Sequence, residues 1–264
     1  MKTIIKLTVV AMLCLYFSSV AFAKVGDKEI KNYLKRHPEV IMDILRQNSQ
    51  ELITILEVGY KDKIRLENEQ KVEMQIASPL SPAIEGRATF GSQKAKFTIV
   101  EYTDMMCTYC VEGDAILSEL IHKYPKKIRV VIKHKTTGTI GRMEAAMYEA
   151  LAEESLSLAW EFKKAAFKHR QKILATNGTY LDTILEDLKV DIPKMKKRAM
   201  NSDIQDLINE DIAEAMKFGV SGTPTFLING VMISGAQPLS QFEKVMNKWT
   251  EFHGEDPFCD ECNE

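Results

Sequence analysis

The sequence predicts an α/β fold in which a strand–helix–strand unit and a β-hairpin–helix unit are separated by a long helical insertion and preceded by a helical segment. Three observations carry that expectation. Phe97-Thr-Ile-Val-Glu-Tyr102 is β-branched and apolar, and it leads through Cys107-Thr-Tyr-Cys110 into an amphipathic helical pattern. From about Arg142 to Phe218 the apolar spacing is helical throughout. Residues 225–228 and 231–234 then flank Asn229-Gly230, a strong signal for a two-residue hairpin turn.

Taken in order, residues 1–23 read as a secretory signal. Lys2 and Lys6 make a basic start, an apolar run follows, and Ala21-Phe22-Ala23 offers small residues where cleavage needs them. The alternative is a membrane anchor, for which the apolar run is short. Cleavage would leave an exported, periplasmic or otherwise secreted protein and would discard Cys14. Residues 24–82 read as a helical segment and linker. Asp27 suits an N-cap, and Pro38 suits the first turn of a second helix. Val40, Ile41, Ile44, Leu45, Leu52, Ile55 and Leu56 recur at helical spacing and need a surface on which to be buried. That surface is either this chain's own domain or a second subunit. The Ser78-Pro-Leu-Ser-Pro82 linker favours the second subunit.

The compact domain spans 83–254. After the strand at 97–102 come a helix at about 108–124, ended by Pro125, and a strand at 128–133. The insertion, at about 140–218, has helical stretches at 143–152, 158–167, 181–188 and 204–216, punctuated by Gly178 and Pro193. The hairpin and a helix at 239–249 close the domain, and 255–264 form a tail. This order is a thioredoxin-type βαβ–ββα plan with a helical domain set into its middle.

Hydrophobic residues make up 45% and charged residues 27% of the chain, enough to bury a full core. The formal charge of −2 becomes −4 once the two leader lysines are lost, which argues against nucleic acid as the main partner. Lys194-Met-Lys-Lys-Arg198 lies in an amphipathic helical pattern and reads as a solvated face. Beyond Cys14, the cysteines form two CxxC pairs. A domain of this size needs no disulfide staples, so they point to chemistry.

CxxC spacing alone can close a redox-active disulfide ring or supply half a zinc site. Its position sharpens the reading, because a cysteine that opens a helix has its thiolate favoured by unpaired N–H groups and the helix dipole. Glu101 lies six residues before Cys107 in an otherwise apolar strand. A lone carboxylate in a core is costly, and the alternative is an exposed strand face.

From about Thr89 to Trp249 the chain resembles the DsbA-like family of exported thiol–disulfide oxidoreductases. The resemblance rests on the strand leading into Cys107-Thr-Tyr-Cys110, on the helical insertion, and on Gly219-Val-Ser-Gly-Thr-Pro224-Thr-Phe-Leu-Ile-Asn-Gly230. It implies a Cys107–Cys110 redox disulfide in which Cys107 attacks substrate disulfides and Cys110 resolves the mixed intermediate. It implies that Pro224 is a cis-proline facing the cysteines, leaving the Thr223 backbone free to pair with an extended substrate. Thr108 and Tyr109 would touch substrate beside it. Glu101 resembles the buried acid that exchanges protons with the resolving cysteine.

The segment around Asn32-Tyr-Leu-Lys-Arg-His-Pro-Glu-Val-Ile-Met42 is similar to the oligomerising segment of a dimeric or trimeric subgroup whose members are often isomerases or reductases. A homodimer is therefore expected, with a trimer as the alternative. The implied partners are unfolded or misfolded secreted proteins and a membrane redox protein; neither cofactor nor metal is implied. The chain departs from the strongly oxidising archetype in having Thr-Tyr in place of Pro-His, and Asp104, Glu112 and Asp114 add negative charge nearby. Both point to a less oxidising site.

Cys259-Asp-Glu-Cys262, preceded by His253, has no counterpart in the family pattern. It could be a labile second disulfide, a soft-metal site with His253, or a pair of free thiols. His37, His122, His134 and His169 show no clustering and are expected at the surface. The competing reading in another class is a periplasmic metal carrier or a holdase chaperone on the same scaffold.

Overall fold

The computed structural model describes residues 26–254 and divides them into two compact units, one up to Leu66 and one from Glu67. The leader, Cys14, and the Cys259 and Cys262 pair lie outside the described residues.

In the first unit, α1 (Asp27–Arg36) is capped by Gly26, with Asp27 already inside the helix, and α2 (Pro38–Gln47) opens on Pro38. A third helix, α3 (Ser49–Ala77), begins here and continues past the unit boundary. No described residue up to Leu66 is buried, and Ile41, Ile44, Ile53, Ile55 and Leu56 are all exposed. Helical spacing therefore gives α2 and α3 an apolar stripe that their own unit does not cover.

The second unit is built on a five-stranded sheet in the order β1-β3-β2-β4-β5. The strands are β1 (Thr89–Gly91), β2 (Phe97–Thr103), β3 (Ile128–His134), β4 (Thr225–Ile228) and β5 (Val231–Ser234). β2 and β3 are parallel and joined through α4 (Thr108–Lys123), while the other pairings are antiparallel. Asn229-Gly230 makes the β4–β5 turn with positive φ at both residues. β1, which periodicity does not reveal, is a three-residue edge strand recruited by β3; three residues are too few to show a period of two.

Between β3 and β4 lie five helices: α5 (Thr139–Glu154), α6 (Leu156–Ala175), α7 (Tyr180–Asp187), α8 (Ile192–Ala199) and α9 (Ser202–Lys217). The chain closes on α10 (Leu239–Phe252). The basic run of α8 is solvated as its pattern implies. Met195 is buried, while Lys194 pairs with Glu154 and Lys196 with Asp182 at 2.6 Å.

Residues 67–82, which the sequence reading places with the helical segment and linker, pack on this second unit. Ile76 joins its core, Met232 N donates to Gln75 Oε1 at 2.9 Å, and Glu69 and Glu73 pair with Lys244 and Lys248 of α10 at 2.8 and 3.0 Å. Leu80 N donates to the Gly230 carbonyl at 3.1 Å, and a Cβ on residue 230 would meet the Leu80 carbonyl at 2.2 Å. The Pro-rich stretch is thus an extended strap against the hairpin.

The strand period of two sorts the chemistry onto the two faces of the sheet. Phe97, Ile99 and Glu101 share the face that packs with Leu117 and Leu120 of α4 and with the helical insertion. Val100 and Tyr102 share the other, with Leu227, Ala215 and Val220. On that second face Tyr102 Oη donates to Glu214 at 2.5 Å. Lys133 pairs with Glu214 and Asp211 at 2.7 and 3.1 Å, and Arg87 with Asp211 and Glu149 at 3.0 and 2.9 Å. Against the surface expectation, His134 is buried, with Nε2 2.8 Å from Glu149. The reason is tertiary: β3 ends beneath α5, and a ring there must find a polar partner inside.

Candidate active site

Cys107 is the N-cap of α4 in extended backbone geometry, with its own N–H bonded to the Asp104 carbonyl at 2.9 Å. Thr108 and Tyr109 are exposed, and Cys110, one turn inward, is fully buried. Both cysteines are free thiols. This graded exposure follows from geometry: β2 ends under the helix start, so the first cysteine rides the helix tip and the second faces the core.

The Thr223–Pro224 peptide bond is cis, and the Thr223 carbonyl accepts from the Cys107 thiol at 3.4 Å. The loop is held by Thr225 Oγ1 donating to the Gly222 carbonyl and by Gly235 N donating to the Pro224 carbonyl, both at 2.8 Å. Residues more than a hundred positions apart thus meet at one sulfur.

Burial pushes the Cys110 thiol up to about 12, and the Glu101 charge adds to the rise. Thr103, Thr223 and the backbone of Asp104 act in the opposite sense by favouring its anion. Glu101 is fully buried on β2; its Oε2 accepts from Lys163 Nζ at 2.8 Å, and its Oε1 has no hydrogen-bond partner.

Lys163 is the residue that sequence reasoning missed. It is fully buried on α6, lies 3.0 Å from Asp114, and places its ammonium 4.5 Å from the Trp160 ring centroid. Glu101 and Asp114 hold it protonated, raising it above the ordinary lysine range although burial acts in the opposite sense. A signal was present: Lys163 falls on the apolar stripe of α6 among Ala159, Phe162, Ala166 and Phe167, where a lysine requires a partner. Two turns further along the same face, Arg170 Nη1 donates to the Met106 carbonyl at 3.2 Å, so one helix edge supports both the buried acid and the cysteine loop.

The acids counted as negative charge near Cys107 are therefore largely engaged. Asp114 faces Lys163, and Asp104 is buried, accepting from Met106 N at 2.9 Å and Thr137 N at 3.2 Å. Glu112 remains exposed. Behind Asp104, Glu144 of α5 is fully buried with both carboxyl oxygens unpartnered. Burial and the Asp104 charge push its carboxyl from the ordinary 4.5 up to about 8, against Arg170.

A carboxyl held neutral by the fold makes stability fall as pH rises, because the unfolded chain ionises first. Between about pH 4.5 and 8, where the two forms differ, the loss should be on the order of a few kcal/mol, levelling off above that. Urea midpoints should decline across that window for the wild type, and Glu144→Gln should remove most of the slope. Equal slopes in the two proteins would contradict this reading.

A free thiol at a helix tip beneath a cis-proline loop, a second buried one turn inward, and a mixed five-stranded sheet behind them define a class. A family profile described as thioredoxin matches residues 84–248, well over half of the sequence. The chain belongs to the thioredoxin family. Its form of the fold is the DsbA-like one. Alpha-DsbA1 of Wolbachia pipientis superposes with a TM-score of 0.59 at 21% identity, over 66% of this chain and 94% of that one. BdbD of Bacillus subtilis gives a TM-score of 0.56 at 17% identity, over 66% of this chain and 97% of that one.

Among curated relatives, a probable disulfide bond formation protein D of Bacillus cereus is 27% identical over 150 residues, 54% of this chain and 69% of that protein. A Na(+)/H(+) antiporter NhaA 3 of Salinispora tropica is 29% identical over 143 residues, 53% of this chain. This chain covers only 21% of that antiporter's length. Among the described residues, no helix is long and apolar enough to cross a membrane.

Proposed function

We propose that this protein is an exported thiol–disulfide oxidoreductase or disulfide isomerase acting on unfolded or misfolded secreted proteins. The observation that carries the reading is the Cys107 thiol at the tip of α4, 3.4 Å from the carbonyl that precedes a cis-proline. The Cys107 thiolate attacks one sulfur of a substrate disulfide, forming a mixed disulfide and expelling the other substrate sulfur as thiolate. Cys110 then attacks the Cys107 sulfur, releasing the second substrate sulfur and closing the Cys107–Cys110 disulfide. Two electrons pass to the substrate, and the protons of the two enzyme thiols end on the substrate thiols. Reversed, the same steps oxidise a substrate; begun and completed on one substrate, they reshuffle its disulfides. A membrane redox protein would restore the working state.

Cys110 must lose a proton before it attacks, and its thiol is pushed up to about 12. Glu101 Oε1, free of other partners, is the base for that proton. Lys163 orients the carboxylate through Oε2 and balances its charge. Thr223 offers backbone to a substrate strand, and exposed Tyr109 and Thr108 supply contact beside it.

The uncovered stripe of α2 and α3 supports a homodimer built on the first unit, with the isomerase form of the activity depending on it. Removing 24–66 should give a soluble monomer that still reduces a small disulfide but loses reactivation of a scrambled protein. The cut belongs at Leu66, because removing residues up to Pro82 would take Ile76 and Gln75 from the second unit. Light scattering and the two activity assays read the outcome. A monomeric full-length protein would refute the assembly, and a wild type without exchange activity would refute the function.

A further inference from the structure

Gly113 sits in the interior of α4, where glycine is unfavourable relative to alanine and no helix end calls for it. It is buried, one turn past Cys110, and the groups facing it belong to the cis-proline loop and the strand that follows. A Cβ on residue 113 would lie 2.8 Å from Pro224 Cγ, 3.2 Å from Pro224 Cβ and 3.1 Å from Phe226 Cζ. Neither neighbour yields easily. The proline ring is stiff and buried, and Phe226 is fully buried against Phe242 with ring centroids 5.0 Å apart.

We propose that Gly113 is a positioning residue that sets how closely the Thr223–Pro224 loop approaches Cys107, and thereby tunes the dithiol–disulfide equilibrium. The inference rests on the thiol–disulfide activity proposed above. Side-chain Cβ atoms do not approach neighbours closer than 3.0 Å and ordinary contact begins at 3.4 Å, so any side chain at 113 must drive Pro224 and α4 apart by a few tenths of an ångström from the 2.8 Å approach. Cys107 caps that same helix, and Thr223 adjoins that same proline. The separation therefore falls on the Cys107 Sγ to Thr223 carbonyl contact and lengthens it beyond its present 3.4 Å, weakening it. That contact exists only in the reduced form with Cys107 protonated, because neither the disulfide nor the thiolate has an S–H to donate, so it is the protonated dithiol that it stabilises. Lengthening it removes a stabilisation of the dithiol and favours the disulfide.

The test is equilibration of the full mature chain with glutathione buffers, comparing wild type with Gly113→Ala. The expected result is a shift of the equilibrium constant towards the disulfide by about threefold to tenfold, the worth of one modest hydrogen bond. KM for a peptide disulfide should rise more than kcat falls, because the displaced Thr223 backbone is where substrate pairs. A merely structural glycine would change the melting temperature alone. An equilibrium constant within twofold of wild type overturns the proposal, and so does a shift towards the dithiol.

If Gly113→Ala does not accumulate as folded protein, Gly113→Ala with Phe226→Leu removes the second contacting atom and gives the proline ring room to move. Its equilibrium constant is then compared with that of Phe226→Leu alone, on the same criterion. Wild type that fails to exchange with glutathione at all would count against the proposed function. Active wild type with an unshifted variant counts against Gly113 only.

Discussion

Cys110→Ser is expected to turn the protein into a trap for its substrates, with catalytic turnover lost by several orders of magnitude. Cys107 keeps its place at the tip of α4 and can still attack, since its exposure and its contact with Thr223 do not depend on the buried sulfur. The intermediate then has no internal route to resolution, because no other described cysteine lies near it. Non-reducing gels of the variant should show adducts that collapse on adding a thiol reductant. Cys107→Ser should form none and should lose activity altogether, since Cys110 is fully buried and its thiol is pushed up to about 12. Adducts on Cys107→Ser, or activity retained by it, would reverse the assignment of the two sulfurs.

The second large effect is expected at Lys163. Lys163→Met leaves the Glu101 carboxylate, fully buried, without the ammonium now 2.8 Å away, and takes the partner from Asp114. Breaking a buried pair from one side typically costs about 3–5 kcal/mol, because a charge remains where water cannot reach it. The urea midpoint should fall accordingly. Lys163→Met with Glu101→Gln should regain much of the loss, since the stranded charge is gone while Asp114, closer to solvent, can hydrate. The double variant should nevertheless resolve mixed disulfides slowly, because glutamine cannot accept the Cys110 proton. A single variant as stable as wild type would mean that the pair contributes little. A double variant that resolves at the wild-type rate would remove Glu101 from the proton path.

The hairpin strands at 225–228 and 231–234 were legible to the residue because short apolar runs flanking an Asn-Gly turn are a local signal. The start of α4 at Thr108 was legible for the same reason. Short or context-dependent elements were not. β1 exists because β3 offers an edge. The helical turns from Glu67 and the strap that follows belong to the second unit because Ile76 and Gln75 find partners there.

Sequence by itself determined the order of elements and the place of CxxC at a helix start. It also put Glu101 and Tyr102 on opposite sheet faces, since a period of two leaves no choice. What the tertiary structure alone decided is which groups meet. Lys163 reaches Glu101 across 62 positions, Asp104 presses on Glu144, and His134 is drawn inside to Glu149. Periodicity encodes which side of an element faces inward, and nothing in it names the element that will lie there. Glu101 could be read as a buried carboxylate from its neighbours in sequence; the cation that makes its burial tolerable comes from a helix whose position only the packed insertion sets.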